Sequence, residues 1–196
     1  MSTTQPIKDK KTLEKFKNYY LLKKNYRNYA LIILGLNTAL RISDILALKW
    51  KDVYNFSENQ FRRHICLKEQ KTGKENMIAM NSSVVTVLQQ EMESLSVNSE
   101  FPLKEHYLFS GSRSKNMPLS RYQAYRIIKE AALYTGIDKH VSCHSLRKTF
   151  GYYAWKQGVP PAMLMNIYNH SSYQITKRYL CIEQEDRDEV FMKIDI

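Results

Sequence analysis

Between positions 26 and 36 the chain reads YRNYALIILGL, apolar on nearly every face a helix could present. A helix that is hydrophobic all round must be enclosed, because no side of it can meet water without exposing apolar surface. The rest of the chain therefore has to supply elements that wrap this one. At 196 residues, 43% hydrophobic and 25% charged, the sequence is long and apolar enough to do so within one domain. Gly35 and Asn37 are read as breaking the buried helix, and a short helix over 42–48 follows. Upstream, 12–24 has helical periodicity with lysines on its outer face.

The remaining punctuation predicts mostly helices. The run HICLKEQ, then KTGK, then ENMIAM within 61–80 reads as two short extended segments around a glycine turn, a β-hairpin with a basic tip. Asn81 or Ser82 can cap SVVTVLQQEMESL. After an apolar Leu108-Phe109 and a GSRSKNMP turn, Ser120 caps RYQAYRIIKEAALYT, which Gly136 ends. A helix over 144–157 stops at Gly158-Val159-Pro160-Pro161. Short helices over 161–168 and 175–180 and a final one from Glu183 complete the pattern. The expected fold is mainly α with one small antiparallel β-hairpin. Its expected divisions are a flexible segment over 1–11, a globular body over 12–182, and a helical tail over 183–196.

Charge narrows the partners. Thirty Lys and Arg against nineteen Asp and Glu leave +11, with a sequence pI near 9.5, a balance that attracts a polyanion through counterion release. Cys66, Cys143 and Cys181 form no CxxC pair, which argues against a disulfide framework or a zinc site. Each is expected to be a small buried hydrophobe in a reducing cytoplasm. The longest apolar run, 30–36, is far too short to span a bilayer, and no apolar stretch follows the basic N-terminus as in a signal peptide. A cytoplasmic protein with no membrane partner is expected.

Several polar residues stand out from the apolar periodicity. Arg41 opens a short helix in TALRISDILALKW, and Lys71 lies at the hairpin tip. His144 and Arg147 are three apart in CHSLRKTF, on one helical face. His170 precedes Tyr179 by nine residues in NHSSYQITKRY, a spacing that Tyr173 lacks. Taken singly, each has an ordinary explanation as a surface or core side chain. In this order they form a set suited to phosphodiester chemistry. Such chemistry needs a nucleophile, charge stabilisation on the non-bridging oxygens and a proton for the departing alkoxide. A tyrosine oxygen, with a pKa of about 10, must lose its proton as it attacks. Guanidinium groups such as Arg41 and Arg147 stay charged and grip phosphate oxygens in pairs. No carboxylate cluster at metal-binding spacing accompanies them, so no metal and no cofactor is expected.

The boxes TALRISDILALKW, KTGK, HSLRKTF and HSS…RY, from about 29 to 180, resemble the tyrosine recombinases of the phage-integrase family. That resemblance implies the family's DNA breaking-rejoining catalytic-domain fold and a covalent 3′-phosphotyrosyl intermediate on Tyr179. It also implies Lys71 as general acid for the leaving 5′-oxygen, His144 as acid/base, His170 as a hydrogen-bond partner of the scissile phosphate, and Arg41 and Arg147 as phosphate ligands. The implied partners are double-stranded recombination sites, with a homotetramer assembled on DNA. Arg62, Arg63, Lys115, Arg121, Lys177 and Arg178 are the candidate backbone-phosphate contacts. Two features depart from the family pattern: Asn169 stands where Gly is usual before the second histidine, and Lys148 where His or Arg is frequent. Only about 28 residues precede the matching region, too few for the family's core-binding domain, so the expected alternatives are a naturally short member like the fimbrial recombinases, the favoured reading, or a truncated chain. The tail is expected to dock on a neighbouring protomer through Val190, Phe191 and Ile194. The competing readings are a type IB topoisomerase, with a similar residue set, and a DNA-binding module without chemistry.

Overall fold

A computed structural model describes residues 4–97, 104–111, 114–137 and 140–194 of the chain. The first helix, α1 (Lys10–Leu22), starts where the Asp9 carboxylate accepts the Thr12 N–H at 2.7 Å. α2 (Tyr26–Asn37) starts in the same way, with the Asn25 side chain accepting from the Asn28 N–H. α3 (Ile42–Ala47) and α4 (Trp50–Val53) lead to a two-residue hairpin of β1 (Tyr54–Asn55) and β2 (Gln60–Phe61). The longer hairpin pairs β3 (His64–Lys68) with β4 (Glu75–Ala79), in register from His64 opposite Ala79 to Lys68 opposite Glu75. Then come α5 (Ser82–Val97), a small β5 (Ser110–Gly111) and β6 (Ser114–Pro118) pair, and α6 (Arg121–Tyr134). α7 (Cys143–Lys156), α8 (Pro161–Tyr168), α9 (Tyr173–Tyr179) and α10 (Gln184–Lys193) finish the chain.

The enclosed helix is α2. It packs against α1, α3, α5 and α7, and Ala30, Leu31, Ile32 and Leu34 are wholly buried. Each large apolar side chain sealed in this way contributes about 1.5–3 kcal/mol relative to exposure, which makes α2 the main energetic axis of the fold. Gly35 does not break the helix, contrary to the sequence reading. It lies inside α2 and lets α7 come close: a Cβ there would stand 3.1 Å from Leu146 Cβ and closer still to its Cδ1.

A second, smaller cluster forms at one side of this core. Ala39, Leu164, Tyr168 and Leu180 are buried together, with Phe150, Trp155, Ile167 and Tyr179 against them. Here Gly151 of α7 makes the close approach, since a Cβ would run into Tyr168 and Leu180.

Three further expectations are corrected. The N-terminal segment is not loose from residue 4 onward. Ile7 is buried and donates its N–H to Thr149 Oγ1 at 2.9 Å, and the Gln5 N–H reaches the His140 carbonyl. Buried Pro6 and Ile7 suffice in a polar stretch when α7 offers a hydrophobic slot and a hydroxyl, Thr149 Oγ1, that donates to the Ser145 carbonyl and still accepts the Ile7 N–H. Cys66 is exposed rather than buried, because it alternates outward on β3 while Ile65 faces the core. The GSRSKNMP stretch is a strand pair, not a simple turn, and the side chain of Lys115 within it lies outside the described residues.

Substituting alanine at Gly35 or Gly151 is expected to lower unfolding stability by about 1–3 kcal/mol in urea titrations, the usual cost of overpacking. Gly111, with open space around it, serves as the near-neutral control.

Candidate active site

The second apolar cluster is the floor of a polar site, and α7 forms one wall. Ser142 caps this helix by accepting the His144 N–H, while the Ser145 hydroxyl accepts the Ser142 N–H at 3.0 Å. That start point fixes the rotation of α7, so that Arg147, one turn after His144, points into the molecule. Arg147 is only 5% exposed. It donates to the Ala39 carbonyl, its guanidinium lies 4.7 Å from the Tyr168 ring centroid, and it makes no ion pair among the described residues. Ala39 adopts φ +54°, a left-handed conformation that costs a non-glycine residue about 1–2 kcal/mol and that turns the carbonyl toward the arginine. His144 sits at the solvent edge of the same face.

Arg41 occupies the N-cap of α3, immediately after that Ala39 turn. Its Nη1 pairs with Glu69 Oε2 at 2.6 Å at the end of β3. Lys71 is exposed in the turn beyond, and Lys74 of the same turn donates to Asn169 Oδ1 at 3.0 Å. The hairpin thus spans from Arg41 to the turn that presents His170.

That turn explains the unusual asparagine. Asn169 ends α8 with φ +55°, the left-handed geometry that favours Gly and that Asn tolerates better than other residues. The backbone path that glycine would give is therefore kept. His170 stacks on Tyr168 (centroids 5.4 Å, 23° between planes) and meets Tyr179 edge-on at 5.2 Å. Its Nδ1 lies 3.0 Å from Thr176 Oγ1, which locks the ring to α9. Tyr179, the last residue of α9, also packs 5.2 Å from Tyr168. Tyr168 in turn donates to the Arg147 carbonyl at 2.7 Å, so one buried ring touches or orients Arg147, His170 and Tyr179.

Electrostatics follow from this packing. Burial raises the Tyr179 pKa above its ordinary value, while the charges of Arg147 and Arg41 pull it back only in part. His144 and His170 are both held below the ordinary histidine value, first by desolvation and then by repulsion from Arg147. Lys148 is buried, with its Nζ 5.2 Å from the Tyr179 ring centroid and 2.6 Å from the Thr4 carbonyl.

Arg41, His144, Arg147, His170 and Tyr179 are therefore gathered at one place, with Lys71 on the adjoining turn. The candidate backbone contacts are dispersed. Arg62 and Arg63 are exposed beside β2 and β3, with Arg62 Nε bonded to the Lys51 carbonyl. Arg121 is exposed at the start of α6, and Lys177 and Arg178 directly precede Tyr179. Sequence reasoning missed two acids. Asp44 accepts the Gln70 N–H at 3.0 Å, and Glu69 holds Arg41. The only available signal was an acid placed three residues after Arg41 and another two before Lys71.

The profile of the Phage integrase family matches residues 8–185. The chain is 40% identical over 185 residues to a probable integrase/recombinase, YoeC, of Bacillus subtilis, covering 94% of this chain and 93% of that one. It is 28% identical over 168 residues to tyrosine recombinase XerD of Corynebacterium glutamicum, covering 84% of this chain but 51% of that relative, so it spans about half the length of XerD. Among solved structures, XerA recombinase superposes with TM-score 0.74 at 20% identity, covering 98% of this chain and 67% of that one. XerH in a post-cleavage complex with palindromic difH substrate gives 0.72 at 20%, covering 98% and 54%. These likenesses favour neither a topoisomerase nor a module without chemistry. With its family profile spanning most of the chain and its site residues gathered around one tyrosine, the protein belongs to the phage integrase family of tyrosine recombinases.

Proposed function

We propose that the chain cleaves and rejoins double-stranded DNA at a specific site through Tyr179. The observation that carries this reading is Arg147. It is a buried permanent cation with no acid paired to it among the described residues, and it lies beside the buried Tyr168 ring and the half-buried phenol of Tyr179. Such a charge is costly to bury unless something anionic completes its coordination. A scissile phosphate does so.

Arg41 and Arg147 hold the non-bridging oxygens and stabilise the charge that builds on them during attack. His170, fixed by Thr176 and stacked on Tyr168, offers its remaining ring nitrogen to the phosphate. The Tyr179 oxygen forms a bond to phosphorus as the phosphorus–5′-oxygen bond breaks. The phenolic proton passes to a neutral histidine at the site edge, His144, whose depressed pKa keeps it an acceptor. Lys71 delivers a proton to the departing 5′-oxygen. Because burial keeps Tyr179 protonated in the free enzyme, the phenol gives up its proton as it attacks the phosphate that both arginines hold. Reversal by a 5′-hydroxyl from another strand completes the exchange, and no energy source is required. Arg62, Arg63, Arg121, Lys177 and Arg178 supply backbone-phosphate contacts, a role also assigned to Lys115.

Two exchanges require protomers that cooperate, and we assign that coupling to α10 in a tetramer on DNA. Asp186 anchors the helix in its own protomer through Tyr152 (2.6 Å) and Lys8 (3.0 Å). Val190, Phe191 and Met192 of α10 and Ile194 just after it are left exposed, an apolar surface suited to a neighbouring copy.

The first expected outcome is a covalent protein–DNA adduct from a library of nicked duplexes with a randomised core, captured on denaturing gels and sequenced. Tyr179→Phe is expected to abolish it and Arg147→Ala to slow it by on the order of 10²–10³-fold. Failure of the wild type to capture any duplex would overturn the reading. A Val190→Ala/Phe191→Ala variant is expected to keep the unfolding stability of the monomer but to lose higher-order assembly on the captured duplex in gel shifts. The depressed histidines also set an acid limit. The unfolded chain binds protons near pH 6.5 that the folded site resists, so stability is lost as pH falls below about 6.5. Urea midpoints measured down to about pH 5 are expected to fall less steeply in a His144→Gln/His170→Gln variant.

A further inference from the structure

Glu69 is a fully buried carboxylate inside a site built to receive an anion. Its Oε2 is shared, accepting from Arg41 Nη1 at 2.6 Å and from Thr72 Oγ1 at 2.7 Å, while Oε1 takes the Asn76 side-chain amide at 3.3 Å. Its backbone closes the turn that carries Lys71: the Glu69 N–H donates to the Lys74 carbonyl at 2.9 Å, and the Gly73 N–H donates to the Glu69 carbonyl at 2.8 Å. The next residue, Gln70, is pinned to the first turn of α3 through Asp44 Oδ1 and the Ser43 carbonyl. Lys71 is thus an exposed cation, without a hydrogen-bond partner among the described residues, on a base fastened to the very turn that presents Arg41.

Burial works against ionising Glu69, yet the Thr72 hydroxyl and the Arg41 guanidinium outweigh it and keep the carboxyl below its ordinary pKa. Loss of one donor would leave a buried charge uncompensated, so the three groups hold one another in place. Arg41 commits one N–H to this contact and retains four others, enough to hold Glu69 and a phosphate together.

We propose that Glu69 is a positioning residue that couples the Lys71 turn to Arg41, so that proton donation to the leaving oxygen and the grip on the phosphate are assembled as one unit. This rests on the strand-cleavage reading given above. Glu69 touches neither the phosphate nor the leaving group. It sets where Lys71 stands relative to the bond held by Arg41.

The test uses the full chain and a captured duplex with either oxygen or sulfur at the 5′-bridging position of the scissile phosphate. A thiolate leaves without a proton, so the sulfur duplex does not need Lys71. Glu69→Gln, which keeps the shape and removes the charge, is expected to slow adduct formation on the oxygen duplex by about 10²-fold or more, the scale of a lost general acid. On the sulfur duplex it is expected to stay within a few-fold of wild type. Thr72→Val cuts the link to the turn but leaves the Arg41 pair intact, and is expected to give the same pattern in milder form. It also covers the case in which Glu69→Gln fails to fold. Equal slowing on both duplexes would mean that these residues serve only Arg41 or the fold, and would overturn the coupling, as would no slowing on either. A wild-type chain that forms no adduct on either duplex would instead overturn the cleavage reading, and the role of Glu69 with it.

Discussion

The arrangement of the site depends on how the fold keeps Arg147 buried. A guanidinium at 5% exposure loses most of its hydration, and among the described residues no carboxylate within ion-pair distance offsets that loss. What compensates is a backbone carbonyl turned inward at Ala39, the face of Tyr168, and the half-buried phenol of Tyr179. Each of these partners is itself constrained. Ala39 accepts left-handed backbone strain, Gly151 gives up a side chain so that Tyr168 can reach α7, and Tyr168 returns a hydrogen bond to the Arg147 carbonyl. Incomplete neutralisation of this charge is what suits the site to the phosphate proposed for it.

The same charge organises the titrating groups around it. Burial first and this charge second depress both histidines, and the charge lowers the phenol that burial raises, so the uncharged forms of His144, His170 and Tyr179 coexist beside two fixed cations. An anion entering this environment meets oriented donors that need no rearrangement, the arrangement that most reduces a barrier in phosphoryl transfer. Glu69 is the exception, a buried negative charge that ties the hairpin to Arg41.

The two apolar clusters divide the labour. The larger, around α2, supplies most of the burial and holds α1, α5 and α7. The smaller sits beneath the polar residues and fixes α8 and α9 with few side chains. The terminal segments brace this second cluster from outside: Lys8 and Asp186 pair across α7, and Lys148 reaches the Thr4 carbonyl. The Tyr179-bearing part of the molecule therefore leans on both ends of the chain.

Much of this was legible in the residues alone. The all-apolar run over 26–36 dictated a central helix, the cap at Ser120 marked a helix start, and the order of Arg41, His144, Arg147, His170 and Tyr179 pointed to one chemistry. These signals are local, with periods and spacings of a few residues. What the tertiary structure decided lies between distant segments. Gly35 looks like a helix breaker and proves, like Gly151, to be a contact point, because the reason for a missing Cβ is a neighbour more than a hundred residues away at Leu146 or one brought up by α8. The polar N-terminus is held because α7 happens to present a slot for Ile7. Glu69 reads as one acid among lysines until folding brings it within 2.6 Å of Arg41, twenty-eight positions earlier. Residue order determined which groups this protein carries; only the packing of α7, α8 and the hairpin decided which of them share charge.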